Sequence, residues 1–597
     1  MKTIRIGCAS GFWGDSAVAA PQLVKLGRID YLVFDYLAEL TMSILARAKQ
    51  KNPQLGYATD FPAIVMKSIV RDVAEKGIRV ISNAGGLNPA ACAEAVAAVA
   101  REAGVSLRIA VIEGDDLLPR IESFRAQGVR ELWSGAALPK RVLSANAYLG
   151  GFPVAAALAA GAQVVITGRG VDSAVTLGAL IHEFGWTADD LDLLAAGSLA
   201  GHLLECGVQA TGGLHTDWES IPDIANIGYP IAECTADGGV VVTKPDGTGG
   251  RMLAAAVAEQ MLYEVHDPAN YILPDVVCDF SGVRIVQEDG QRVRVSGARG
   301  RAPTPHYKVA ATYADGWRLV ALLNIIGIDA ARKGRRTGDA IVERTRRMLA
   351  DAGLPDYRRT RVEVLGAEQA YGPHGRGGHA REVVVRVAAE HDSREALEIL
   401  SREVAPSSMW APGTAGAGLG RQAPAPSVKM YGFLVPKTEV DAVLRIGADS
   451  TTLAAPVARE RRDAPAPLTY GALPAPAADE CVDLPLIRLA WGRSGDKGDT
   501  SNIGIIVRHP DFVPLLQHWL TAARVADYFA YRVQGPVTRF DVPGIHAFNF
   551  VLERALGGGG MASLQTDPLG KAYAQMLLDI LVPVSLTLVR THRLLGY

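Results

Sequence analysis

Ionisable and amide side chains in this sequence recur directly after short apolar runs. Asp35 follows Tyr31–Phe34, and Asn83 follows the run that ends at Ile81. Glu113 and Asp115 follow 107–112, and Arg169 with Asp172 follows 163–167. A charge at the end of a buried run must be paired or hydrated. These residues therefore neutralise one another or line a wet cleft. Arg169 has the planar fork that clamps a carboxylate or a thioester oxygen. In that reading Asn83 is a second oxygen-binding group, Glu113 or Asp35 the general base, and His202 the acid. The loop 7–16 after the first run contributes Trp13 as a substrate contact.

Glycine-rich turns add backbone donors. Gly85 and Gly86 precede Asn88, and Lys244 leads through Gly249 and Gly250 to Arg251 and a helical run. N–H groups at such turns hold anions or the phosphates of coenzyme A. Asp496 and Lys497 lie in a dense polar stretch, 493–502, read as a turn that either forms a local ion network or is lent to a shared cleft. Each feature also has a plain reading. Asp15, Ser16, Asn88 and Ser173 are ordinary helix caps, an Arg–carboxylate pair can be purely structural, and the basic run 332–347 is a solvated helix face. His202, Cys206, His215 and Asp217 match no strong zinc spacing, so no metal is assigned. Gly7, Gly11 and Gly14 are spaced wrongly for a dinucleotide fingerprint, and no cofactor is assigned beyond a CoA moiety on the substrate.

The elements that must position these residues alternate. Over the first two hundred residues, continuous apolar runs alternate with longer helical patterns, which predicts a mostly parallel, doubly wound α/β sheet. Ligands of such sheets sit beyond the carboxyl ends of the strands. The uncharged stretch 142–168 reads as a buried helix followed by a buried strand, not a membrane span. From about Gly207 the pattern becomes α+β, with separate strands expected at 307–313 and 319–325. The expected units are 1–206, a second lobe at 207–452, an Ala/Pro-rich linker at 453–484, and a ferredoxin-like α+β domain at 485–597 built strand–helix–strand–strand–helix–strand.

With 61 Lys plus Arg against 63 Asp plus Glu, the chain has no basic surplus for nucleic acid. Six scattered cysteines without a Cys-x-x-Cys pair fit a reducing cytoplasm. The expected partner is a small molecule, with self-association and no membrane.

Several stretches together carry a resemblance. Residues 11–15, 35–42, 83–89 and Thr167-Gly168-Arg169 resemble the acyclic terpene utilisation AtuA family, as do 200–206, 228–233 and 244–251. Residues 493–499 resemble the ferredoxin-like domain that accompanies it. The resemblance implies breakdown of citronellol- and geraniol-type compounds through branched acyl-CoA intermediates; it transfers no catalytic residue. Asp499 and Gly170 depart from the family's pattern and leave the substrate open. The reading that follows is a catabolic lyase or hydratase acting on an acyl-CoA or hydroxy acid. The alternatives are a non-catalytic subunit of an acyl-CoA-processing complex and a nicotinamide-dependent oxidoreductase.

Overall fold

In a computed structural model the N-terminal apolar runs become β1 (Thr3–Cys8), β2 (Tyr31–Phe34), β3 (Arg79–Ser82), β4 (Ile109–Glu113) and β6 (Val164–Thr167), and β5 (Val142–Ala147) forms at the start of the uncharged stretch. The structure describes residues 2–416, 420–457, 466, 468–473 and 480–595. Five of these strands are parallel, in the order β1-β2-β3-β6-β4. Their side chains alternate between two cores. Ile6, Val33, Ile81 and Val165 face the helices Phe152–Ala159, Ala174–Phe184 and Leu191–Leu204. Leu32, Val80, Val111 and Ile166 face Ala19–Leu26, Lys67–Lys76 and Pro89–Glu102. Burial on both sides is why the runs look continuous in sequence.

The boundary expected near residue 206 does not interrupt this sheet. β7 (Ile231–Thr235) pairs antiparallel with β1, and β8 (Val240–Thr243) pairs with β7. Arg292–Ser296 and Arg284–Asp289 extend that edge, and Ala442–Ile446 with Asp449–Leu453 extend the other beyond β4. The result is a mixed sheet of eleven strands. Chain segments distant in sequence pair here because the parallel core would otherwise expose two unpaired edges.

A second, antiparallel sheet is organised by one long strand, His306–Ile326, where two were expected. It pairs with β5, Glu382–His391 and Ala425–Pro436. The turn-like residues between the two expected strands are a register irregularity between Ala314 and Trp317, with Gly316 at φ 76°. β5 likewise replaces the start of the helix read into the uncharged stretch, because its partners lie more than a hundred residues away. Helices Ala330–Asp351 and Arg394–Glu403 close one face.

In the C-terminal unit a hairpin, Ala490–Lys497 and Thr500–Val507, joins Ala547–Leu552 and Val537–Val542 in a four-stranded antiparallel sheet. Short helices and a small outer pair, Cys481–Pro485 with Leu581–Ser585, pack on it. The stretch 493–502 is mostly strand, and only Gly498 and Asp499 form its tip. Within the expected linker 453–484, residues 458–465, 467 and 474–479 lie outside the described residues. Among the described residues no helix is long and apolar enough to cross a membrane.

Candidate functional site

The carboxyl ends of β1, β2 and β6 open into a cavity of about 2080 Å³. The residues after Leu262 and the tip of the C-terminal hairpin complete its wall. At its base sits Arg169, only 4% exposed. Its guanidinium donates to Leu37 O at 2.7 Å, Asp172 Oδ1 at 2.9 Å and Tyr148 Oη at 3.2 Å, and its carbon lies 4.4 Å from the centre of the Tyr148 ring. Tyr148 in turn donates to Glu39 Oε1 at 2.6 Å. Burial lowers the Arg169 pKa, but Tyr148, Asp172, Glu39 and Asp35 outweigh it and hold the pKa above the ordinary value. Glu39 is half-buried, and Arg169, Lys308 and Lys497 bring its carboxyl down to about 2 against the opposing effect of desolvation.

Asp35 ends β2, and Asn83 at the end of β3 donates to its Oδ1 at 2.5 Å. The Asn83 carbonyl accepts Tyr36 N–H at 2.7 Å. Asn83 thus orients Asp35 and has its amide fully engaged. Burial and Asp172 push the Asp35 pKa well up, against the pull of Arg169. Asp115 braces the loop from below: its Oδ2 accepts Arg169 N–H and Asn146 Nδ2, both at 2.8 Å. Burial raises its pKa to about 7. A Cβ at Gly168 would lie 2.3 Å from Asp115, so only glycine fits there.

Glu205 forms a third acidic point on the cavity wall, and His202 stands behind it with Nδ1 3.1 Å from Glu205 Oε1 and Nε2 3.1 Å from Met261 O. Nε2–H donates to that carbonyl, and Nδ1 faces the Glu205 carboxylate. Burial raises the Glu205 pKa, and Glu205 raises that of His202 against burial.

The hairpin tip delivers Lys497, which ion-pairs with Glu264. Lys571 meets the same carboxylate at 3.0 Å and Asp496 at 3.2 Å. Glu264 adopts φ 59°, a left-handed conformation that non-glycine residues rarely take. Its pKa is lowered by the two lysines despite burial. Asp496 rises to about 6 through burial and Glu264. His266 is held neutral, near 4, by burial and by Lys497 and Lys308. Lys308 lines the cavity 5.1 Å from the Tyr148 ring centre, and its ammonium makes no hydrogen bond or ion pair among the described residues. Burial lowers its pKa.

Of the residues singled out from sequence, Trp13, Asp35, Arg169, Asp172, Asp496 and Lys497 line this cavity. Asn83 and Asp115 lie just behind it and His202 behind Glu205. Glu113 does not: its carboxylate turns to Arg445 on the neighbouring strand. Gly85, Gly86 and Asn88 form the turn into Pro89–Glu102, where Asn88 caps Ala91 N–H and ties down Pro53 O and Leu55 O. Lys244 donates to Thr248 O at 2.8 Å. The N–H groups of Gly249, Gly250 and Arg251 go to Asn226, Pro222 and Thr211 carbonyls, so none is free for an anion. His215 and Asp217 are bound to Glu259 and Arg508.

Sequence reasoning marked Glu39 as a strand-end charge that must be paired or wet, but assigned no role to Tyr148, Glu205, Glu264, Lys308 or Lys571. The available signal for Lys308 was a lone lysine inside an apolar strand. Tyr148 and Glu264 gave none, because their neighbours come from remote segments.

The acyclic terpene utilisation family protein AtuA model matches residues 4–446, and the AtuA ferredoxin-like domain matches 484–583. No curated protein and no solved structure matches the chain. A match over most of the sequence, covering every strand-end loop of the cavity, identifies this chain as a member of the acyclic terpene utilisation AtuA family, followed by its ferredoxin-like domain.

Proposed function

We propose that the cavity binds a branched acyl-CoA, or the related hydroxy acid, of acyclic terpene breakdown and catalyses a lyase or hydratase step. One observation carries this reading: Lys308, a cation without an ion pair among the described residues, lies beside buried Arg169 and carboxyls of raised pKa, and all line one large cavity. Lys308 and Arg169 hold the carboxylate or thioester oxygen and stabilise negative charge that develops there. Asp35 and Glu205 carry protons at opposite stages. In the dehydrating direction one carboxylate takes the proton from the α-carbon. The other, protonated, gives its proton to the β-hydroxyl, which leaves as water. A carboxyl pKa raised toward neutrality suits both tasks. The apolar side chains Phe12, Leu40, Ile44, Trp133, Leu214 and Leu434 are exposed along the same cavity and match a branched hydrocarbon chain.

The test is ligand-induced thermal stabilisation and calorimetry with CoA, citronellyl-CoA, geranyl-CoA, the free acids and NAD⁺. The expected result is stabilisation by an acyl-CoA or free branched acid that Lys308→Met and Arg169→Ala remove, because ligands of the folded state raise apparent stability. Absence of any such binding, or binding unchanged in both variants, overturns the reading. Stabilisation by NAD⁺ alone favours the oxidoreductase alternative.

A further inference from the structure

His509 and Asp511 occupy the turn that leaves the hairpin strand Thr500–Val507, and His592 lies in the terminal helix Leu586–His592. Roughly eighty residues of chain separate the two segments, yet one atom from each side chain lies within 4.8 Å of the others. Among the described residues this is the one group of three His, Cys, Asp or Glu side chains gathered so closely. Asp511 Oδ2 is 3.4 Å from His509 Nδ1 and 3.0 Å from His592 Nε2. On a tetrahedral ion with bonds of about 2.1 Å, ligand atoms stand roughly 3.4 Å apart. Two of the three edges, from Asp511 to His509 and to His592, are already near that spacing, and the third is no longer than 4.8 Å.

We infer that His509, Asp511 and His592 form a Zn²⁺ site that staples the terminal helix to the turn after the hairpin strand Thr500–Val507. Two imidazoles and a carboxylate are the donor set that borderline divalent ions prefer over Mg²⁺ or Ca²⁺. His509 is 49% exposed and Asp511 53%, so an ion can enter from solvent and a water can complete the fourth position. His592 is 16% exposed and packs edge-on to Phe512 at 4.6 Å, which fixes its ring without burying the ligating nitrogen's approach to Asp511. At present His509 Nδ1 accepts Asp511 N–H at 3.2 Å. Metal binding redirects that lone pair to the ion. None of the three residues lines the large cavity, so the site is independent of the proposed catalysis.

The test uses the full chain freed of metal with a chelator. Zn²⁺ is titrated calorimetrically, Co²⁺ serves as a spectroscopic substitute, and thermal unfolding is followed with and without Zn²⁺. The expected result is one tight equivalent, a visible Co²⁺ spectrum of tetrahedral type and a higher Tm with Zn²⁺. His509→Ala and His592→Ala each abolish all three. His509→Ala also removes the cap on Asp511 N–H, so the Zn²⁺-induced rise in Tm of each variant is read against that variant's own metal-free Tm, which isolates the metal effect. A chain that binds no Zn²⁺ at 100-fold molar excess overturns the inference, as does binding that persists in both variants. Loss of binding in His592→Ala but not in His509→Ala also overturns it, since the ion would then sit elsewhere.

Discussion

Two glycine-containing loops, 167–173 and 244–251, each follow a strand, carry a basic residue and lead toward a helix. Only the first opens to the cavity. In the second, the N–H groups of Gly249 and Gly250 are taken by Asn226 and Pro222 carbonyls, and Lys244 is spent on Thr248. In the first, the backbone is held from below by Asp115, which leaves the Arg169 side chain at the base of open space. The donors of both turns have partners; what separates them is that the first carries its charged side chains to the wall of a cavity and the second does not. Composition alone does not separate the two cases.

The largest break in that contrast is Arg169→Ala. It strands Asp172, Asp35 and Glu39 without their common cation, and breaking a buried pair in this way costs about 3–5 kcal/mol. Denaturant unfolding should show that loss, together with abolished acyl-ligand binding. A variant as stable as wild type would place Arg169 among dispensable surface ion pairs.

The next test concerns the support under the same loop. Asp115 titrates near 7 in the fold and near 3.9 in an unfolded chain. Between those values the folded protein keeps a proton that the unfolded chain releases, so stability falls as pH rises from about 4 to about 7. Asp115→Asn has no such proton, and its stability relative to wild type should improve by a few kcal/mol, on the order of the shift, across that window. Urea unfolding at pH 5 and 7.5 measures this, and a constant difference would show that Asp115 is not the group responsible.

Lys308→Met sharpens the contrast at the level of the ligand. Loss of a charge-assisted contact of about 1.5–3 kcal/mol should weaken binding of the acyl anion roughly tenfold to hundredfold. The fold should be unharmed, because no carboxylate loses an ion-pair partner. The smallest effect belongs to the other loop: Arg251→Ala, at an exposed position, should change both stability and binding negligibly, within about 0.5 kcal/mol. A large binding loss there would erase the distinction between the loops.

Much of the cavity's rim was legible. Asp35 and Arg169 follow strand ends and line it, with Asn83 just behind, and strand ends of a parallel sheet converge. Glu113 was misleading for a reason of register. It is the last residue of β4, and the antiparallel strand Ala442–Ile446 beside it supplies Arg445. The inward carboxylate is Asp115, past the end of the strand. Lys308 and Tyr148 were hidden by distance along the chain: the strand His306–Ile326 brings Lys308 beside β5, whose next residue is Tyr148. The divisions by composition failed at residue 206 because hydrogen bonding along sheet edges, which composition does not encode, recruits strands from 231–296 and 442–453.

Local residue order thus determined which segments are buried strands, where their polar ends lie and to which family the chain is similar, since periodicity and motif are properties of neighbours in sequence. The tertiary structure decided which of those polar ends share a cavity, and that the C-terminal hairpin lends Lys497 to it. Ionisation at the site depends on burial and on charges a few ångströms away, and those distances exist only once remote segments pack together.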